Sequence, residues 1–165
     1  MKKIVVIEDR LWVTTDATVN LQAKGIAFYM AIYYPSRLLY SKEQEALLKD
    51  YKEKTGIEVE QVNDQSEFVN KMNELYDNHE LVFLMDYDLK GDMGIDDFFQ
   101  RINIKYALDK RNQNADEKIW FYTTGGSDVR AALLENFGDR VIRVPGFIDG
   151  QLQWDESEIR GILED

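Results

Sequence analysis

Three short apolar runs, each closed by polar side chains, constrain this chain more than any other feature. Ile4-Val5-Val6-Ile7 runs into Glu8-Asp9, and Leu81-Val82-Phe83-Leu84-Met85 runs into Asp86-Tyr87-Asp88. Ile119-Trp120-Phe121-Tyr122 runs into Thr123-Thr124-Gly125. Continuous apolar stretches this short are the mark of strands buried on both faces, as in a parallel sheet. Their polar closures then collect at the carboxyl ends of the strands, where open α/β sheets hold their ligands. Glu8, Asp9 and Asp86 gathered there repel one another, because two unit charges about 4 Å apart cost roughly 4 kcal/mol at an effective dielectric near 20. A proton or a divalent cation must offset that charge, and Mg²⁺ is a hard cation suited to carboxylate oxygens.

Between these runs lie helical patterns, and the alternation predicts an α/β fold with a parallel sheet. The first strand is expected over Lys3 to Ile7. Ser41-Lys42-Glu43-Gln44 and Asp64-Gln65-Ser66-Glu67 read as capping boxes opening two helices, the first ended by Gly56. Ile57 to Val62 is a short strand, and Leu81 to Met85 a central one. Ile95, Phe98 and Ile102 form the inner stripe of a further helix, followed by a polar loop over Asn112 to Glu117. Lys118 to Tyr122 is the fourth strand, Ser127 opens a helix that Gly138 closes, and Val141 to Val144 is the fifth strand. Phe147 to Trp154 reads as a loop or hairpin about Asp149-Gly150, and Ile159, Ile162 and Leu163 line a short last helix. Arg10 to Tyr40 is rich in aromatics without a clear period; a helix is expected near Gln22 to Tyr34, broken before Pro35. Length and the lack of a repeat or linker predict one domain over residues 1–165, with 10–40 as an atypical insertion.

Composition narrows the function. Thirty-one acids against 20 bases give a formal charge of -11, which repels phosphate backbones and anionic lipid, so neither nucleic acid nor membrane is expected as a direct partner. Cysteine is absent and His79 is the only histidine, which excludes thiolate and multi-histidine metal sites. No segment has the apolar length of a membrane span, and Met1-Lys2-Lys3 leads straight into a strand, so a cytoplasmic protein is expected.

Asp86-Tyr87-Asp88-Leu89-Lys90-Gly91-Asp92-Met93-Gly94 resembles the phosphoacceptor segment of response-regulator receiver domains. Glu8-Asp9 is similar to the acidic pair ending that family's first strand, and Thr124-Gly125 to the hydroxyl-plus-small pair ending its fourth. Val144-Pro145 with Phe147 is similar to the lysine-proline-phenylalanine stretch after its fifth. The resemblance implies a doubly wound, five-stranded parallel sheet of receiver-like (flavodoxin-like) order 2-1-3-4-5. It implies a stand-alone receiver in two-component phosphorelay signalling, with Asp86 as phosphoacceptor and Thr124 and Gly125 against the phosphoryl group. Glu8, Asp9, Asp86 and the Asp88 backbone carbonyl would hold Mg²⁺ or Mn²⁺. The implied partners are a histidine kinase or phosphotransfer protein and a downstream protein target, with homodimerisation left open. Catalysis would then go no further than self-catalysed phosphotransfer onto Asp86.

Several positions depart from that pattern. Val144 stands where the family carries its lysine, Arg143 is the nearest cation and is expected as a phosphoryl contact in its place, and Val141 replaces the usual aromatic switch residue. Lys90 stands where proline is frequent. These departures motivate a second expectation, a receiver-like binding module that is not phosphorylated. A third follows from Glu8 with Asp86-x-Asp88 and Gly91, similar to the acidic pattern of toprim metal-dependent nucleases, although the net charge opposes nucleic acid. Asp86-x-Asp88 also echoes haloacid-dehalogenase-like phosphatases, whose motif lies near the N-terminus.

Overall fold

Strand β1 (Lys2–Glu8) is the axis of the molecule, paired in parallel on both sides. The computed structural model describes residues 2–8, 11–33, 42–62, 65–77, 79–86, 119–123, 127–138 and 140–164. After a 3₁₀ turn over Leu11–Thr14 come α1 (Thr15–Gln22), β2 (Phe28–Tyr33), α2 (Lys42–Thr55) and β3 (Glu58–Val62). They are followed by α3 (Gln65–Tyr76), β4 (Glu80–Asp86), β5 (Ile119–Tyr122) and α4 (Ser127–Phe137). A hairpin of β6 (Phe147–Ile148) and β7 (Gln151–Leu152) leads into α5 (Glu156–Glu164). The main sheet is parallel throughout, five-stranded, in the order β3-β2-β1-β4-β5.

Alternation along each strand divides the core in two. Ile4, Val6, Phe28, Met30, Val82, Leu84, Trp120 and Tyr122 face one side, against Ala17 and Leu21 of α1, Tyr51 of α2, and Ile159 and Ile162 of α5. Val5, Ile7, Tyr29, Ala31, Phe83, Met85 and Phe121 face the other, against Met72 and Leu75 of α3 and Leu133 of α4. Helices on both faces of a parallel sheet make the fold doubly wound, and they explain why β1 and β4 are apolar at consecutive positions.

The expected order 2-1-3-4-5 is corrected by one insertion. Phe28–Tyr33 is a strand, and it enters between β1 and the strand that was expected to pair with it. The helix expected near Gln22 to Tyr34 lies earlier in the chain, as α1. Gly25, at φ +91°, takes the left-handed turn that stops α1, with its N–H on the Gln22 carbonyl at 3.0 Å. Beyond it Phe28 and Met30 pack on one face and Tyr29 and Ala31 on the other, which a helix on the sheet surface cannot do. The segment expected as a fifth strand, Val141 to Val144, forms a single parallel bridge from Val141 to Phe121. The Arg143 N–H, which points away from β5, is taken by Glu158 at 2.7 Å. The helix about Ile95 to Ile102, the loop Asn112 to Glu117 and Pro35 lie outside the described residues.

Candidate functional site: two carboxylates at the crossover point

The strand order reverses direction beside β1. The chain runs outward through β2 and β3, returns, and places β4 on the other side. Ligands of doubly wound sheets bind at this switch point, in the crevice beyond the strand ends. Here the crevice lies between the last residue of β1 and the last residue of β4, Glu8 and Asp86.

Register brings these two side by side. Ile7 is paired with Met85, so Glu8 and Asp86 follow as neighbours on adjacent strands about 4.8 Å apart. Both continue the alternation of Ile4, Val6, Val82 and Leu84, which sets them on the same face of the sheet. Each is 0% exposed. Two carboxylates so close and so far from water do not both carry uncompensated charge.

The next strand contributes a third member. Tyr122 is the register partner of Asp86, lies on the same face, and donates its hydroxyl to Glu8 Oε2. Its ring is fully enclosed and meets the Trp154 ring edge-on, centroids 5.4 Å apart at 76°. Trp154 in turn stacks on Phe28 at 6.4 Å. The acidic end of the sheet is thereby tied to the C-terminal hairpin and helix.

Of the residues singled out from the sequence, Glu8 and Asp86 are brought together. Asp9, Asp88, Thr124 and Gly125 lie outside the described residues. Arg143 is exposed and engaged at the first turn of α5: Nε donates to Glu158 Oε1 at 3.0 Å, and a second guanidinium nitrogen lies 3.8 Å from Asp155. Tyr122 joins the site although the sequence shows it only as the last residue of an apolar run, ending that run as Glu8 and Asp86 follow theirs. Thr123, the buried residue after it, has the opposite parity.

As a donor set, Glu8 and Asp86 fit a hard divalent cation: two carboxylates, adjacent, on one face and withdrawn from water. Among the described residues no group of three or more histidine, cysteine, aspartate or glutamate side chains is placed to hold a metal ion.

No family model matches the chain, and no curated protein matches it. Among solved structures it is similar to a de novo designed protein of P-loop NTPase fold, determined by solution NMR. The TM-score is 0.51 and the identity 16%, over 99% of this chain and 90% of that one. At that identity the likeness is one of fold. The phosphate-cradling motif of P-loop enzymes ends in Gly-Lys, and no glycine of this sequence is followed by lysine.

Proposed function

We propose that this protein is a receiver-like signalling switch that accepts a phosphoryl group on Asp86 with the help of a divalent cation. The supporting observation is the placement of Glu8 and Asp86 as register neighbours, on one face, at the switch point of the sheet. Glu8 and Asp86 would hold Mg²⁺, with Asp9 and the Asp88 carbonyl added by resemblance. The cation would supply positive charge against the phosphoryl oxygens. The Asp86 carboxylate then attacks phosphorus, a P–O bond to Asp86 forms, and the bond to the donor's leaving group breaks. The donor would be a phosphohistidine of a kinase or phosphotransfer protein, the readout a downstream protein, and the compartment the cytoplasm. Among the described residues no helix is long and apolar enough to cross a membrane.

The test is intact mass after incubation with Mg²⁺ and acetyl phosphate, wild type beside Asp86→Asn. A base-labile phosphoryl adduct on wild type alone is expected. Its absence with small donors and with histidine-phosphorylated donors alike would leave the unphosphorylated binding module in its place.

One observation favours a second reading. The β1 carboxylate that shares a face with Asp86 is a glutamate, as in the toprim-like acidic pattern. Metal-dependent cleavage of DNA or RNA, lost in Asp86→Asn, would establish that reading; against it stands the net charge of -11.

A further inference from the structure

Tyr122 has no part in the receiver pattern carried over above, yet its side chain touches a candidate cation ligand. Its hydroxyl reaches Glu8 from two strands away, across the end of β4. The span is two strand spacings of about 4.8 Å each, bridged by the phenol and the glutamate together. The ring has little freedom. It is fully enclosed, held in register with Asp86 and braced edge-on by Trp154, which is itself stacked on Phe28. The hydroxyl is therefore delivered to one place, and Glu8 Oε2 occupies it.

Resting on the cation-site reading of Glu8 and Asp86, we infer that Tyr122 is a positioning residue for the metal, fixing the Glu8 carboxylate so that it meets a cation shared with Asp86. A glutamate side chain has three rotatable bonds, and an unclamped one must be ordered again at each binding event. Partners in the layer behind a metal ligand hold it in the binding orientation, and their loss typically weakens metal affinity about 10–100-fold. Tyr122→Phe removes the clamp and keeps the ring that packs on Trp154. A merely structural tyrosine would behave differently: its loss would lower the melting temperature but leave the affinity of the folded protein for metal unchanged.

The experiment titrates the full chain with Mn²⁺ and reads free Mn²⁺ by electron paramagnetic resonance. Wild type, Tyr122→Phe and Glu8→Gln are compared at a temperature where far-UV circular dichroism in EDTA shows them folded. Expected is a saturable Mn²⁺ site in wild type, weakened tenfold or more in Tyr122→Phe. Equal affinity in folded Tyr122→Phe overturns the inference. Should that variant not fold, Glu8→Gln decides: it keeps an acceptor for the Tyr122 hydroxyl but loses the charge, and must lose Mn²⁺. Wild-type affinity in Glu8→Gln would mean that Tyr122 cannot act through Glu8. No Mn²⁺ binding by wild type would overturn this inference and the cation-site reading together. Tight Mn²⁺ binding that depends on Tyr122, without a phosphoryl adduct on Asp86, would uphold the inference and sink the receiver proposal alone.

Discussion

Tyr29 lies wholly enclosed on the face of the sheet opposite the acidic site, and its hydroxyl donates to Glu60 at 3.0 Å. Burial first, and then the Glu60 charge, drives its pKa well above the ordinary 10.0. Lys71 completes the group, its ammonium 2.9 Å from Glu60 and 5.6 Å from the Tyr29 ring centre. Burial also raises Tyr51, partly opposed by its hydrogen bond with Thr18. Such a tyrosine ionises in the unfolded chain near pH 10 but not in the folded one. Its stabilising effect is complete below that pH and declines above it, by about 1.4 kcal/mol per pH unit for each group. Urea denaturation between pH 9 and 11 should therefore show a shallower decline for Tyr29→Phe than for wild type; parallel declines would refute this. Asp155 behaves in the opposite sense. It caps α5 by accepting the Ser157 hydroxyl at 2.8 Å and N–H at 2.9 Å, and the hydroxyl contact chiefly holds its pKa below the ordinary 3.8. That contribution is present above pH 3.8 and is lost as pH falls through the lowered value. Asp155→Ala should melt below wild type at pH 7, with the gap closing in acid, whereas Asp155→Asn should keep most of the cap.

Helix ends were the most legible elements, because their signals are local. Gly56 stops α2 at φ +70°, giving its N–H to the Lys52 carbonyl at 2.8 Å, while Thr55 Oγ1 takes the Ile57 N–H at 3.0 Å. A Cβ on Gly56 would meet only Gln22 Nε2 at 3.9 Å, so space is not the obstacle. The cost is conformational: Gly56→Ala should lose about 1 kcal/mol in chemical denaturation, and an unchanged midpoint would contradict the left-handed cap. Asp149-Gly150, at φ +50° and +77°, likewise forms the predicted hairpin turn from residues that tolerate that region. Helix α1 and strand β2 were illegible for a different reason. Thr18 is a polar residue on the core-facing side of α1 and breaks its apolar stripe. It is accommodated there because its hydroxyl meets the Thr14 carbonyl at 2.8 Å and the Tyr51 hydroxyl at 2.7 Å. Tyr51 belongs to α2, thirty-three residues further on, so no local window contains its partner. Strand β2 is covered on both faces, which removes the alternation that would have separated it from a helix.

Across the whole molecule, ligand binding and folding are linked wherever a site exists only in the folded state. Glu8 and Asp86 belong to strands far apart in sequence and form a pair only when β1 and β4 are in register. A cation held between them should therefore raise the melting temperature, by the equivalent of about 2.7 kcal/mol at one hundred times its dissociation constant. Asp86→Asn should remove that rise; an equal rise in both proteins would place the metal elsewhere. The sequence by itself determined the layer architecture, the strands that end in carboxylates and the glycine stops of α2 and α4, since patterning and turn chemistry act over a few residues. Only the tertiary structure decided that Phe28–Tyr33 would enter the sheet and that Arg143 would turn to α5. It also decided that Tyr122 would reach across a neighbouring strand to Glu8. Each of these depends on which elements are neighbours, and that is set by burial and pairing summed over the whole chain.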